Sequence, residues 1–191
     1  MIDKIFSSMD EAVADISDGS TIMFPGFGNT GIPRNLMAAL LTQGAKNLIG
    51  ISNGSGGRDD RIDIGVLVRA RQFKKLVMAF TASPHPSRAT IFNELYEAEE
   101  IEAELVTQGT MAERIRAGGA GIRAFYTPTG VGTQMAEGKE GREFDDRQYL
   151  LEHALTADFA LLKGHKADAL GNVMYRGTSQ NFNAVMATAA G

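Results

Sequence analysis

Thr21-Ile22-Met23-Phe24-Pro25-Gly26-Phe27-Gly28-Asn29-Thr30-Gly31-Ile32-Pro33 is the stretch on which the fold turns. Its first four residues form a short apolar run, the pattern of a buried strand. Three glycines within six residues then make a loop that can bend sharply or let backbone approach a ligand. Pro33 sits where the first turn of a helix tolerates proline, because that N–H has no intrahelical acceptor anyway. The helix that follows places Leu36, Met37, Leu40 and Leu41 on one side, and Gly44 ends it as a C′ residue. Strand, glycine loop and helix together are the first half of a parallel βα unit.

Working outward, the unit repeats. Upstream, Ser8-Met9-Asp10-Glu11 reads as a capping box opening a short helix with Val13 and Ile16 inward, and Asp18-Gly19 is a turn. Downstream, Asn47 to Ile51 reads as a strand, Asn53 to Asp60 as a polar glycine loop, and Ile62 to Arg71 as a helix. Lys75 to Phe80 is a strand, and Pro84-His85-Pro86 enforces a loop. Arg88 to Ala98 reads as a helix with Ile91, Phe92 and Leu95 inward. Ile101 to Val106 alternates like a half-exposed strand. Thr110-Met111-Ala112-Glu113 reads as a second capping box, with its helix ending at Gly118-Gly119. Beyond Gly121 the pattern loosens, with strands expected at Gln148–Leu151 and Phe159–Leu162 and a helix starting at Asn183. The expected fold class is α/β, a largely parallel sheet with helices on both faces. The whole chain reads as one domain. The helix pattern from Asn183 to Ala190 stops at Gly191 without the strand that would usually follow, so a C-terminal truncation is expected.

Of the 22 glycines, nine cluster from Gly19 to Gly57 and eight from Gly109 to Gly141, with none from Val66 to Gln108. Composition excludes much else. A net charge of −4 offers no basic footprint for nucleic acid or an anionic membrane. The chain has no cysteine, which removes disulfides, thiolate catalysis and cysteine metal sites. Three scattered histidines, His85, His153 and His165, make no metal cage, so no metal site is expected. No apolar run approaches the roughly 20 residues of a membrane span, and the N-terminus is no signal peptide, so the expected compartment is the cytoplasm.

Gly26-Phe27-Gly28-Asn29-Thr30-Gly31 fits Gly-x-Gly-x-x-Gly between a strand and a helix, the context of a dinucleotide fingerprint. An NAD(P)- or flavin-dependent oxidoreductase is therefore one alternative. That fingerprint needs an acid at the end of the second strand to hold a ribose hydroxyl. Here that strand ends in Ser52-Asn53.

The stretch Asp18 to Pro33 also resembles the signature of the A subunit of family I coenzyme A transferases: Asp-Gly, two residues, an apolar triplet, Gly-Gly-Phe, then Gly-x-Pro. Pro25 stands where that family usually has the first glycine of Gly-Gly-Phe. Gln108 to Gly121, followed by Phe125 to Thr133, resembles the second glycine-rich stretch of these subunits, with Arg123 where a small residue or proline is expected. Ala157 to Leu161, His165 to Asp168 and Gly171 to Asn183 form a third matching block.

The resemblance implies the coenzyme A transferase fold and a 3-oxoacid or 3-oxoadipate type of activity. It also implies a B-subunit partner in an A2B2 assembly, with an acyl-CoA such as succinyl-CoA and a small carboxylic acid as substrates. Coenzyme A is then a substrate, and no cofactor is expected. The family's nucleophile is a glutamate in a Ser-Glu-Asn-Gly type motif of the B subunit, which attacks the thioester and then carries coenzyme A. This chain has no such motif, so no catalytic residue is expected in it, and alone it should be inactive. The expected coenzyme A and substrate contacts are Phe24, Pro25, Gly26, Phe27, Gly28, Asn29, Thr30, Asn53 and Gln108, with loop amides serving as oxyanion donors.

Plainer readings stand beside these. Gln108 and Asn53 could cap turns, and Phe27 could be a core plug. Glu113 reads as a cap, and the run Glu97, Glu99, Glu100, Glu102 and Glu104 reads as a solvated face or a docking surface. A ligand-sensing module on the same fold is the non-enzymatic alternative.

Overall fold

The computed structural model describes residues 4–57, 62–81 and 89–191. The loop expected at Pro84-His85-Pro86, the helix start at Arg88 and the end of the Asn53–Asp60 loop lie outside them. A short α1 (Met9–Ala12) leads into β1 (Thr21–Phe24), α2 (Arg34–Gln43), β2 (Leu48–Gly54), α3 (Ile64–Arg69), β3 (Phe73–Phe80), α4 (Ile91–Glu97) and β4 (Glu102–Leu105). Next come α5 (Gln108–Gly119), β5 (Ala124–Thr127), β6 (Gly141–Phe144), β7 (Arg147–His153) and β8 (Phe159–Ala160). The two-residue strands β9 (Lys166–Ala167) and β10 (Val173–Met174) and the short helix α6 (Asn183–Met186) complete it.

The main sheet has the order β4-β3-β2-β1-β8, with every pair parallel. The chain steps steadily outward from β1 to β4, then returns to place β8 on the other side of β1. Right-handed crossovers put α2, α3 and α4 on one face, and the reversal puts later helices on the opposite one. The core is accordingly split in two. Ile22 and Phe24 pack with Met37, Leu40, Leu67 and Phe92 on one side. Met23, Ile51 and Val77 pack with Met111, Ile115, Phe182 and Met186 on the other. Among the described residues no helix is long and apolar enough to cross a membrane.

Several local expectations are corrected. Pro33 is the residue before α2 rather than its first turn, and Leu41 is exposed. Ser8 caps α1 by accepting from the Glu11 amide, but the Glu11 carboxylate turns back to Ser7. The helix α5 begins at Gln108, so Thr110 lies inside it and accepts from the Thr107 hydroxyl at 2.7 Å. Glu113 pairs with Arg116 at 2.6 Å instead of closing a box. The strand β2 runs on through Ser52, Asn53 and Gly54, and α6 stops at Met186.

The loosened region after Gly121 is a separate antiparallel sheet, β5-β7-β6. Charged groups tie it to the parallel sheet. The Arg114 guanidinium donates to the His153 carbonyl at 2.6 Å and to Glu104 at 2.9 Å. Lys75 donates to the other Glu104 oxygen at 2.7 Å, and Lys139 holds the buried Glu152 at 2.5 Å. Glu104 is therefore no member of a merely solvated acidic face. Burial pushes its carboxyl upward, but the hydrogen bonds from Lys75 and Arg114 win and hold it below its ordinary value.

Candidate functional site

Open parallel sheets bind ligands beyond the carboxyl ends of their strands. Here the ends of β1, β2 and β3 open into a cavity of about 180 Å³. Phe24 and Pro25, then Ser52 to Gly57, then Phe80 bring those three ends to its wall. Gly26, Gly28 and Asn29 close it from the loop side, and Met37 and Ile64 supply apolar floor.

The glycine loop is a miniature hairpin. Phe27 and Thr30 exchange both backbone hydrogen bonds, at 3.0 and 3.1 Å, around a Gly28-Asn29 tip. Two positions explain the glycines. Gly26 has φ +131°, and a Cβ there would stand 2.8 Å from the Ile32 side chain. Gly31 has φ +73°, and a Cβ there would stand 2.7 Å from the Ser179 carbonyl oxygen. Asn181 and Asn183 crowd Gly31 as well, and Asn183 is fully buried. Its amide donates to the Gly31 and Ser179 carbonyls at 3.0 Å each, and its oxygen accepts from the Lys163 N–H at 2.7 Å.

This arrangement revises the supply of oxyanion donors. The Phe27 and Thr30 amides are committed to each other, and Pro25 has no N–H to offer. Gly26, Gly28 and Asn29 take no part in the hairpin's own bonds. Phe27 is 54% exposed, so it is not a core plug. Of the expected contacts, Phe24, Pro25, Gly26, Gly28, Asn29 and Asn53 line the cavity, while Phe27, Thr30 and Gln108 do not. Gln108 nevertheless reaches it through a neighbour, since its Nε2 donates to the Asn53 Oδ1 at 2.7 Å. That bond fixes the rotamer of Asn53, which is 4% exposed.

Sequence reasoning missed Ser52, Ser55, Asp63, Phe80 and Thr90 in the lining. The available signal was position, because Ser52, Ser55 and Phe80 lie at strand ends. Asp63 is a helix cap rather than a base. Its Oδ1 accepts from the Gly57 and Gly65 amides at 3.1 and 2.8 Å. The Ser52 hydroxyl donates to the Gly54 carbonyl and the Ser55 hydroxyl to the Thr81 carbonyl. No histidine or lysine lines the cavity among the described residues, so no adjacent base of that kind activates these hydroxyls. The arrangement can bind, orient and donate hydrogen bonds. Among the described residues it holds no activated nucleophile. No group of His, Cys, Asp or Glu able to hold a metal ion occurs among them either.

Where the dinucleotide fold carries its ribose-binding acid, this chain has buried Ser52 and Asn53. A family model for the coenzyme A transferases matches residues 6–191. The A subunit of the 3-oxoadipate CoA-transferase of Pseudomonas putida is 49% identical over 190 residues, covering 100% of this chain and 80% of that one. The human mitochondrial succinyl-CoA:3-ketoacid coenzyme A transferase 2 is 45% identical, covering 98% of this chain and 38% of its own length. Among solved structures, a variant of the AibA/AibB decarboxylase superposes with a TM-score of 0.81 at 25% identity, covering 100% of this chain and 72% of that one.

Proposed function

The chain belongs to the coenzyme A transferase family, and from that premise we propose that it is the A subunit of a 3-oxoacid-type transferase. Coenzyme A moves from an acyl-CoA, in our reading succinyl-CoA, to a small 3-oxo acid. The partner is a B subunit in an A2B2 assembly, working in the cytoplasm. It brings the glutamate that attacks the thioester carbonyl and then carries coenzyme A as a glutamyl thioester. The observation that carries this division is the cavity itself. It has donors at the strand ends and a capping carboxylate, but nothing activated to attack among the described residues.

The cavity receives the acyl end. The amides of Gly26, Gly28 and Asn29 and the Asn53 side chain stand where negative charge develops on the thioester oxygen, and Gln108 positions Asn53. Phe27, exposed on the hairpin, presents its ring to the incoming partner or substrate.

The test is reconstitution. Mixed with a B subunit, the chain should transfer coenzyme A from succinyl-CoA to a 3-oxo acid, and mass spectrometry should find the adduct on the partner alone. Absence of transfer with every acyl-CoA and acid pair, or an adduct on this chain, would overturn the proposal.

A further inference from the structure

Five buried or half-buried charges of alternating sign run through the molecule as one row. Lys75 on β3 meets Glu104 on β4 at 2.7 Å, and Glu104 meets Arg114 on α5 at 2.9 Å. Arg114 stands 3.9 Å from Glu152 on β7, which Lys139 holds from the loop before β6 at 2.5 Å. None of the five lines the cavity at the strand ends, so the chemistry proposed there leaves them unused. Desolvation cancels most of the attraction between buried charges, and hydrocarbon of similar volume would join two sheets as well. What the charges add is direction, because a guanidinium fork accepts its partners in few orientations.

Arg114 is the centre of the row, with a side chain only 10% exposed. It is held from two sides. Its guanidinium donates to Glu104, in the strand that enters α5, and to the His153 carbonyl at the end of β7. Its own carbonyl accepts the Leu155 N–H at 2.9 Å. One residue of α5 is thus clamped through side chain and backbone together. Glu104 and Arg114 also close a loop of sequence, and Gln108 lies inside it as the first residue of α5.

The first turn of α5 has a weak hold of its own. Thr107 makes no side-chain bond to the helix backbone, Gln108 and Gly109 are exposed, and a Cβ at Gly109 would touch nothing. Yet Gln108 must reach from the β4 side of the sheet, past β3, to Asn53 on β2. Buried Val106 and Met111 fix the depth of the turn, and the clamp fixes its direction. About 9 Å of helix separates Gln108 from Arg114, so a tilt of about 10° would carry the Gln108 end about 1.5 Å. That is enough to break its 2.7 Å bond to Asn53.

We infer that Arg114 is a positioning residue: clamped to Glu104 and β7, it aims α5 so that Gln108 holds Asn53 in place at the cavity. The kinetic consequence rests on the transferase reading, whereas the geometry does not. The experiment measures kcat and KM for wild type, Gln108→Ala, Arg114→Lys and the double variant, each in complex with the B subunit. Lysine keeps the charge and can reach Glu104, but it has no fork with which to hold the His153 carbonyl as well. Arg114→Lys should lower kcat about fivefold while leaving KM for succinyl-CoA and for the 3-oxo acid in place. In the Gln108→Ala background the same substitution should change kcat by less than about twofold, because the residue it acts through is already gone. Equal losses in both backgrounds, a loss confined to KM, or no loss overturns the inference. Glu104→Gln loosens the clamp from its other end and takes the place of Arg114→Lys if that variant does not fold. Failure of the wild-type complex to transfer coenzyme A would sink the transferase reading instead, and NMR of the chain then decides the geometry. The Gln108 carboxamide resonance should move to the position of an exposed glutamine in Arg114→Lys, and an unmoved resonance overturns the inference.

Discussion

The two glycine clusters look alike in sequence and do different work in the molecule. Gly26, Gly28, Gly54, Gly56 and Gly57 all line the first cavity, although a Cβ at four of them would meet Ile32, Phe80, Asp63 or Thr90 and only Gly28 has open space beside it. None of the glycines from Gly109 to Gly141 lines it. Gly118 and Gly119 lie at the end of α5, where a Cβ would run into Leu155 backbone and Thr188. Gly121, Gly130, Gly132 and Gly138 take positive φ in turns. Glycine enrichment thus reports close approach of backbone, but not to what. In the first region, backbone pressed against neighbouring side chains also walls a cavity, and in the second it packs the end of α5 or serves turns open to solvent.

Substitutions can break that contrast. Gly31→Val sits in the first cluster but outside the first cavity, against protein, so its effect should fall on stability. It should cost about 3 kcal/mol in urea unfolding, from positive φ combined with collision against Ser179 and Asn183. Next, Arg114→Met cuts the tether between the sheets and leaves Glu104 to Lys75 and Glu152 to Lys139. About 2 kcal/mol should be lost, read from the same titration, with the antiparallel sheet losing amide protection first. Gln108→Ala should lower kcat/KM of the assembled complex about tenfold while leaving the unfolding midpoint in place, because the exposed Gln108 positions Asn53 without holding the fold. Gly109→Ala should stabilise by up to about 1 kcal/mol, since nothing lies within 4 Å of a Cβ there and helical glycine is intrinsically poor.

The tether also sets a pH dependence. The folded-state pKa of Glu104 lies below its unfolded value, so its contribution is fully present above the ordinary glutamate value of 4.5 and fades as pH falls through the depressed folded value. The stability difference between wild type and Glu104→Gln should therefore be widest near neutrality and narrow in acid. A difference that stays constant from pH 7 to pH 3 would contradict the assigned cause.

The parallel half is legible because its signals are local. Thr21 to Phe24 is apolar and bounded by turn formers, and the structure places β1 on those residues. Gly44 ends α2 in the left-handed conformation its position requires. The antiparallel half is harder to read because it buries little, with β5 half-buried and β6 exposed. All four residues of β6 face solvent, so no periodicity marks them, and pairing with β7 defines the strand. At the site, Gln108 and Asn53 can be singled out by position, but not joined. The bond between them crosses 55 residues. Glu104 hides in its acidic run for a similar reason, since its partners Lys75 and Arg114 are 29 and 10 residues away.

The Asn183 amide has a consequence in time. It reaches back 152 residues to the Gly31 carbonyl. During synthesis the glycine hairpin leaves the ribosome early, but the residue that fixes its base arrives near the end of this stretch. Contacts of such sequence separation form late, because the chain entropy of closing them must be met first. A nascent chain halted before Asn183 would hold β1 to β4 with an unanchored hairpin, and pulse-labelling hydrogen exchange should find the Gly31 region among the last to be protected.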